Sequence, residues 1–262
     1  MGILNVTPDS FADGGLRFDP DRAVAAGIQM VADGADIIDV GGESTRPGAD
    51  AVPAPEELRR VLPVIARLVR DVPVPVSIDT YKAVVAREAC ALGATIVNDI
   101  SGLLFDDELG PAIAGAGAAA ILMHNRGRSR DMYKEAVYQD VAEEIARELE
   151  ATIDRAVRAG VARDRIILDP GFGFAKRAEH SYAALAGLDR FASLGRPILS
   201  GPSRKSFLKQ AIGDRPPAGR DWGTAAAVTA SVLLGAHIVR VHAVREMVDV
   251  VRVADRLLKP VF

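Results

Sequence analysis

The stretch VPVSID at residues 74–79, followed by a helical pattern and then by TIVND at residues 95–99, decides the fold predicted for this chain. Both stretches are short apolar runs rich in β-branched residues, and both end in a polar side chain. Hydrophobicity is almost continuous along them instead of alternating, which is typical of strands covered on both faces of a parallel sheet. The segment therefore predicts a strand–helix–strand unit.

Six further runs of the same kind occur along the chain. They are GILNV (2–6), DIIDV (36–40), AAILMH (119–124), RIILD (165–169), RPILS (196–200) and HIVRVH (237–242). Amphipathic helical patterns lie between runs, with apolar faces formed by Val24, Ile28 and Val31; by Leu58, Leu62, Ile65 and Val69; and by Met247, Val251, Ala254 and Leu258. Eight alternations within 262 residues predict an α/β fold, the (β/α)8 TIM barrel. A doubly wound open sheet is the alternative, because periodicity does not report whether a sheet closes.

Composition limits the classes of partner. Lys plus Arg total 32 and Asp plus Glu total 35, so a net charge of -3 gives no reason to expect nucleic-acid or membrane binding. The single cysteine, Cys90, excludes an internal disulfide and fits a reducing compartment. No run of 18 apolar residues or more and no linker rich in Ser, Gly or Pro is present. We therefore expect a cytoplasmic protein whose residues 1–262 form one domain.

Polar side chains end nearly every predicted strand. They are Asn5, Asp39, Asp79, Asn98, Asp99, His124, Asp169, Ser200, Arg240 and His242. In a barrel these strand ends meet on one face, where active sites of this fold are built. The aspartates could bind Mg²⁺ through oxygen, or accept hydrogen bonds from a ligand with several N–H donors, and spacing leaves both interpretations open. Any single one could instead cap a helix or pair with a core cation.

Two long loops and a pair of basic residues extend this predicted face. TPDSFADGG (7–15) and GGESTRPGAD (41–50) exceed the usual length of a strand-to-helix connection and are candidates for lids. Arg46, in the second loop, could bind a phosphate in bidentate fashion or remain a solvated cation. Arg240 and His242 alternate to the same side of the last strand and could bind an anion. Alternatively, Arg240 forms an interior salt bridge with one of the aspartates.

Two glycine-containing segments follow later strands. LDPGFGF (168–174) places an aspartate before glycines that let backbone approach a ligand, and Phe172 and Phe174 could cover an aromatic ring or belong to the core. GPSRKSF (201–207) carries Arg204 and Lys205 side by side. It lacks the GxxxxGK[ST] spacing of the nucleotide-binding phosphate loop, so its charge is expected to meet another kind of ligand.

Seven segments together resemble the signatures of the dihydropteroate synthase family, in that family's order. They are GILNVTPDSFADGG (2–15), GGESTRPGA (41–49), SIDT (77–80), NDISG (98–102), LDPGFGF, GPSRKSF and VRVH (239–242). The resemblance implies a transferase of folate biosynthesis, a target of sulfonamides, that requires Mg²⁺ and is usually a homodimer through its last helices. It condenses 6-hydroxymethyl-7,8-dihydropterin pyrophosphate with p-aminobenzoate and releases 7,8-dihydropteroate and pyrophosphate.

The resemblance also implies a role for individual positions. The pterin would be bound by Asp79, Asn98, Met123, Asp169, Lys205 and Arg240; the pyrophosphate by Asn5, Arg46, Arg240 and His242; and p-aminobenzoate by Thr45, Pro47, Phe174 and Ser206. Asn5 would also bind Mg²⁺. Lys205, Asp13 and Arg240 would be catalytic, with Asp13 stabilising a cationic intermediate. Arg204 has no ligand role and is expected in a structural ion pair.

Two departures from the family keep other functions open. Ala243 stands where the family commonly has Asp, and Ala175 where a glycine is often found. One alternative is the methyltetrahydrofolate-binding barrel of corrinoid methyltransferases, which shares the pterin carboxylates but is not expected to carry GPSRKSF with VRVH. A barrel aldolase with Lys205 as Schiff-base nucleophile is a second. A catalytically silent pterin-binding protein, favoured by Ala243 and the short segment before the first strand, is a third.

Overall fold

The computed structural model describes residues 1–7, 19–44, 50–127, 133–134 and 136–259, and within these ranges strands and helices alternate. The strands are β1 (Gly2–Asn5), β2 (Ile38–Gly41), β3 (Val76–Asp79), β4 (Ile96–Asp99), β5 (Ala119–Met123), β6 (Ile166–Asp169), β7 (Leu199–Ser200) and β8 (Ile238–Val239). The helices are α1 (Pro20–Ala32), α2 (Ala54–Asp71), α3 (Ala83–Ala91), α4 (Leu109–Ala116), α5 (Val141–Arg158), α6 (Ala178–Ala186), the single turn α7 (Lys209–Ile212), α8 (Asp221–Leu233) and α9 (Val244–Leu258). Every predicted strand is present, in a shorter form.

The strands close into a ring. β1 to β6 form one parallel sheet in chain order, and β7 pairs with β8. Isolated bridges join the two parts, one between Leu168 and Ile198 and one between Gly2 and Val241. At the second seam the Ile3 N–H donates to the Val241 carbonyl at 2.9 Å, and the Val241 N–H donates to the Met1 carbonyl at 2.9 Å. The (β/α)8 barrel is thus confirmed, and the open doubly wound sheet is excluded.

The hydrophobic core has two parts. The larger fills the space between the strands and the helices outside them, and Cys90 packs against it. The smaller lies inside the barrel, where the buried Met1, Ile96, Ile121 and Leu199 contact Ile37, Ala119, Ile167 and Ile238. These residues sit near the starts of their strands, so apolar side chains fill that end of the interior. Polar groups are therefore left for the opposite end.

The buried face of α2 differs from the prediction. Glu57, Val61, Val64, Ile65 and Leu68 are the buried residues of this helix, whereas Leu58, Leu62 and Val69 pack only partly against the core. Glu57, a charged residue, can be the first buried residue of the helix because Lys82 forms ion pairs with both Glu57 and Glu43. An apolar pattern does not register a carboxylate whose burial is compensated in this way.

The helices surround the barrel. Among the described helices, none is long and apolar enough to cross a membrane. α2 and α5, at 18 residues each, carry charged side chains along the face directed away from the strands.

Candidate active site

The candidate site lies at the carboxyl end of the barrel strands. Asp79 is the last residue of β3, and the strand register places it opposite Asn98 of β4. Asp169 is the last residue of β6 and lies opposite Met123 of β5. Arg240 comes directly after β8. Parallel strands bring these residues, which are far apart in the sequence, to a single mouth.

Arg240 forms the centre of this mouth. Its Nε donates to Asp39 Oδ2 at 2.6 Å, and one terminal nitrogen donates to Asp79 Oδ2 at 2.7 Å. Asn98 Nδ2 donates to the same Asp39 oxygen at 2.9 Å. Burial opposes the guanidinium charge, but Asp39 and Asp79 together hold the pKa of Arg240 above its ordinary value. The interior salt bridge considered from sequence is therefore present, and 19% of the Arg240 side chain still faces solvent.

Two carboxylate oxygens in this group have no hydrogen-bond partner among the residues that the structure describes. They are Oδ1 of Asp39 and Oδ1 of Asp79, both buried. Burial raises the pKa of Asp79 to about 7, although Arg240 acts in the opposite direction. A buried acceptor without a donor costs about 1–3 kcal/mol, so a ligand that brings N–H groups to these oxygens recovers that free energy on binding.

Lys205 and Asp169 are a second pair of opposite charges near the first, close enough to influence each other's pKa but without a direct bond between them in the described residues. Lys205 Nζ donates to the Phe172 carbonyl at 2.5 Å and lies 4.5 Å from the centroid of the Phe174 ring. Burial lowers the pKa of Lys205 to about 8, with Asp169 acting against that shift. Burial also raises the pKa of Asp169, which Lys205 opposes. The Asp169 Oδ1 accepts the Gly171 N–H at 2.7 Å, which fixes the carboxylate over the loop that follows it.

That loop depends on glycine geometry. Gly171 has φ +71°, and a Cβ there would lie 2.2 Å from the His124 carbonyl oxygen, so no other residue fits without moving the backbone. Ala175, where the family often has glycine, also adopts the left-handed region with φ +48°. The chain therefore keeps the loop conformation at this position despite the missing glycine.

Besides Lys205, two more side chains of the segment GPSRKSF, those of Ser203 and Arg204, are bonded to its surroundings. Ser203 Oγ is 2.9 Å from His242 Nδ1 and accepts the His242 backbone N–H at 3.2 Å. Arg204 donates in bidentate fashion to Asp221 at the start of α8, at 2.7 and 2.8 Å. The structural ion pair predicted for Arg204 is confirmed, and it leaves the neighbouring Lys205 to face the mouth.

Comparisons with known proteins agree with this geometry. Residues 1–242 match the family model described as pterin binding enzyme. The chain is 46% identical over 257 residues to a dihydropteroate synthase from Synechocystis sp., covering 98% of this chain and 89% of that protein. The chain belongs to the dihydropteroate synthase family. A crystal structure of the Xanthomonas albilineans dihydropteroate synthase with 4-aminobenzoic acid superposes with a TM-score of 0.92 at 43% identity, covering 99% of this chain and 92% of that one.

One relative is much longer than this chain. The folic acid synthesis protein fol1 of Schizosaccharomyces pombe is 46% identical over 265 residues, which cover 98% of this chain but only 36% of that protein. The similarity therefore concerns one part of fol1, and it extends over the whole barrel described above.

The structure brings five of the predicted site residues together. Asp79, Asn98, Asp169, Lys205 and Arg240 meet at the mouth. The remaining described members are Met123, buried at the end of β5; Asn5, half-buried at the end of β1; Phe174, beside Lys205; His242, bonded to Ser203; and Ser206, exposed at the start of a 3-10 turn. Asp13, Thr45, Arg46 and Pro47 lie outside the described residues.

Asp39 lies in the site, although no role of its own is predicted for it from the sequence. It belongs to the group of strand-end aspartates, and the structure places it between Arg240 and Asn98. Asp99, from the same group, does not share this position, because its carboxylate accepts the Ser101 and Leu103 N–H groups at 2.7 and 2.6 Å. Strand alternation offered the signal: adjacent residues such as Asn98 and Asp99 point to opposite faces, so only one of them can line the mouth.

Proposed function

We infer that this chain forms 7,8-dihydropteroate from 6-hydroxymethyl-7,8-dihydropterin pyrophosphate and p-aminobenzoate. The arylamine nitrogen attacks the methylene carbon of the pterin, a C–N bond forms, the C–O bond to the diphosphate breaks, and the nitrogen loses a proton. The observation that carries this inference is the convergence of Asp79, Asn98, Asp169, Lys205 and Arg240 on one mouth in a chain of the dihydropteroate synthase family.

The pterin ring matches the charges of the mouth. Its amino and ring N–H groups are donors, and the carboxylates of Asp79 and Asp169, in their ionised form, can each accept two such bonds. Asn98 Nδ2 donates a hydrogen bond to Asp39, so the amide oxygen of Asn98 can act as a further acceptor for the ligand. The Lys205 ammonium is assigned to the acceptor edge of the ring, where its positive charge balances the carbonyl oxygen.

The diphosphate is assigned to the basic side of the mouth. Arg240 and His242 follow β8, Asn5 ends β1, and the seam between these strands places all three residues on adjacent strands. Arg46 is proposed to contribute from the loop after β2. Positive groups at this point stabilise the charge that develops on the departing oxygen, which is the main task of catalysis for this reaction.

The residues at this point also fit Mg²⁺. The described residues contain no group of three His, Cys, Asp or Glu side chains placed to hold a metal ion. Mg²⁺ commonly binds through one or two protein groups together with substrate phosphates, and the Asn5 amide oxygen supplies a ligand of that kind. When bound, the ion would neutralise charge on the diphosphate. Asn5 would hold it, and Arg240 and His242 would share the remaining phosphate charge.

The p-aminobenzoate site is proposed beside Phe174 and Ser206, together with Thr45 and Pro47. Phe174 offers an aromatic face next to Lys205, and Ser206 is exposed at the start of the turn that follows Lys205. The solved structure of the Xanthomonas albilineans relative with 4-aminobenzoic acid supports a site for this compound. Asp13, if the first loop carries it to the mouth, would stabilise positive charge on the pterin methylene.

We also propose that two copies of the chain associate through α8 and α9. Large apolar side chains on these helices are exposed, namely Trp222, Leu233, Val253, Leu257 and Leu258. An exposed apolar group of this size on a soluble barrel commonly marks a contact with another protein.

The proposed function is tested by incubating the purified chain with both substrates, with and without Mg²⁺, and identifying the product by mass spectrometry. Formation of 7,8-dihydropteroate that stops on chelation is the expected result. Binding of the pterin diphosphate without turnover would instead identify a silent pterin-binding protein. Trapping of a covalent Lys205 adduct by borohydride with a carbonyl substrate would support an aldolase.

A further inference from the structure

A buried lysine outside the proposed binding residues lies within the loop after β6, two residues after Phe174. Lys176 is only 1% exposed, and the described part of the chain provides no carboxylate in an ion pair with it. Its Nζ lies 2.7 Å from His124 Nδ1 and donates to the Phe174 carbonyl at 3.0 Å. Burial places its pKa well below the ordinary value. Burying a charged lysine without a counter-ion costs free energy, so the role of the hydrogen bonds that Lys176 makes needs an explanation.

The neighbouring groups determine the direction of these hydrogen bonds. His124 Nε2 lies 2.9 Å from Glu148 Oε2, and Glu148 also accepts from Arg126. A carboxylate accepts only, so Nε2 carries the imidazole proton and Nδ1 is a bare acceptor. Burial and then Lys176 lower the pKa of His124 to about 4, which keeps the ring neutral. Lys176 therefore donates to His124 Nδ1 and to the Phe174 carbonyl, and the His124 carbonyl oxygen lies 3.5 Å from the same nitrogen.

The same cluster holds the loop at a second point. The Tyr138 hydroxyl donates to the Ala175 carbonyl at 3.0 Å, and the Arg126 guanidinium lies 4.0 Å from the centroid of the Tyr138 ring. Two consecutive carbonyl groups are thus fixed, that of Phe174 by Lys176 of the same loop and that of Ala175 by Tyr138, which precedes α5. The Phe174 ring on the opposite side of this backbone faces Lys205.

We propose that Lys176 is a positioning residue for the p-aminobenzoate site, acting through its hydrogen bonds to Phe174 and His124. It fixes the backbone from which the Phe174 ring projects, and it ties the loop after β6 to the end of β5. Asp79 and Asn98 stand on strand ends away from this contact, and Asp169 is held at the start of the loop by its own bond to the Gly171 N–H. Lys176 therefore sets the affinity for p-aminobenzoate and not that for the pterin, an inference that rests on the function proposed above.

Two substitutions at this position separate positioning from simple filling of space. Lys176→Met keeps the length of the side chain but removes the N–H groups that bond to His124 and Phe174. Lys176→Gln restores two N–H groups without a charge. We expect Lys176→Met to raise the KM for p-aminobenzoate about tenfold, the effect of losing one well-placed hydrogen bond. The KM for the pterin substrate should stay within about threefold of wild type. Lys176→Gln should recover most of the loss, and Lys259→Met at the exposed end of α9 is the control.

Several outcomes would overturn the inference. Equal rises in both KM values, or no rise in Lys176→Met, would show that Lys176 does not position this site. A Lys176→Gln variant as impaired as Lys176→Met would show that a buried cation is needed. If Lys176→Met does not fold, Tyr138→Phe removes the neighbouring bond to the loop and must raise the p-aminobenzoate KM selectively. If wild type forms no product, the proposed function fails, and calorimetric affinities for 4-aminobenzoate then test the positioning role separately.

Discussion

Arg240 holds two buried carboxylates and at the same time is assigned to the substrate's diphosphate. Removing it leaves Asp39 and Asp79 as neighbouring buried charges without a cation. Breaking a buried pair in this way costs about 3–5 kcal/mol. We expect Arg240→Ala to lower kcat/KM at least about tenfold and to lower the thermal midpoint as well. Differential scanning calorimetry and steady-state kinetics measure the two effects.

Lys205→Ala gives a contrasting expectation. The amine contributes to ligand binding, while burial without a close carboxylate bond makes it costly in the free protein. kcat/KM should fall at least about tenfold, and the thermal midpoint should be unchanged or higher. Near-wild-type kinetics in both Lys205→Ala and Arg240→Ala would contradict the assignment of the mouth.

Two groups give pterin binding a defined pH dependence. Burial raises the pKa of Asp79 to about 7, so this side chain gains a proton as the pH falls through 7. The protonated oxygen can then no longer accept a hydrogen bond from the pterin. Burial lowers the pKa of Lys205 to about 8, so its positive charge is lost as the pH rises through 8. Affinity for an unphosphorylated pterin should therefore be highest between these values and fall up to about tenfold per pH unit on each side.

Isothermal titration from pH 5.5 to 9.5 measures this profile without interference from titration of a phosphate. Lys205→Met is the control, because it should abolish the alkaline limb and preserve the acid limb. A flat affinity between pH 6 and 9 would show that neither group titrates in contact with the pterin.

The sequence predicted some of these residues better than others. Asp79, Asn98 and Asp169 were found because they end apolar runs and because the family resemblance gave them roles. Asp39 received no role, since its importance lies in bonds to residues 98 and 240, which sequence spacing cannot show. Asp99 was grouped with the others, but its carboxylate satisfies turn N–H groups, and only the local backbone conformation decides this.

At the scale of elements, the loop after β6 is the most constrained connection at the mouth. Gly171→Ala would force a left-handed alanine, at about 1–2 kcal/mol, and would place a methyl group on the His124 carbonyl. We expect a loss of more than about 2 kcal/mol in the free energy of unfolding, together with weaker pterin binding, because the Gly171 N–H holds Asp169. Chemical denaturation and calorimetry measure both.

Gly115→Ala is the matched control for that substitution. Gly115 lies in α4 with no atom within 4 Å of the position of a Cβ. Alanine there should stabilise the protein by about 0.5–1 kcal/mol and leave pterin affinity unchanged, because glycine in a helix carries an entropic cost. If both variants lost stability equally, close contact at Gly171 would not be the cause.

The sequence predicted the elements but not all of their contacts. The eight runs became eight strands, while β7 and β8 contracted to two residues each because isolated bridges complete their pairing. The face of α2 was misplaced by the compensated burial of Glu57. Apolar periodicity records only hydrophobic burial, so an element whose position depends on an ion pair is predicted less well.

At the scale of the whole molecule, α8 and α9 carry exposed apolar side chains. Val253 and Leu257 are 64% and 63% exposed. If two copies associate through these helices, Val253→Asp with Leu257→Asp should convert a dimer to a monomer, because charges in an apolar contact lose hydration without gaining a partner. Light scattering after size-exclusion chromatography measures the mass. Val137→Asp, at a site that is 73% exposed elsewhere, should leave it unchanged. A wild-type monomer would contradict the proposed association.

The seam between β8 and β1 has a consequence for how the protein is made. Arg240 stands one residue before the bridge to Gly2, and it is separated by 201 and 161 residues from the two aspartates that it pairs with. Because ribosomal synthesis proceeds from the amino terminus, Asp39 and Asp79 have no ion pair with Arg240 until the last strand leaves the exit tunnel. The site can therefore be complete only after the last strand has been synthesised. A nascent or prematurely terminated polypeptide lacks Arg240 and has no active site.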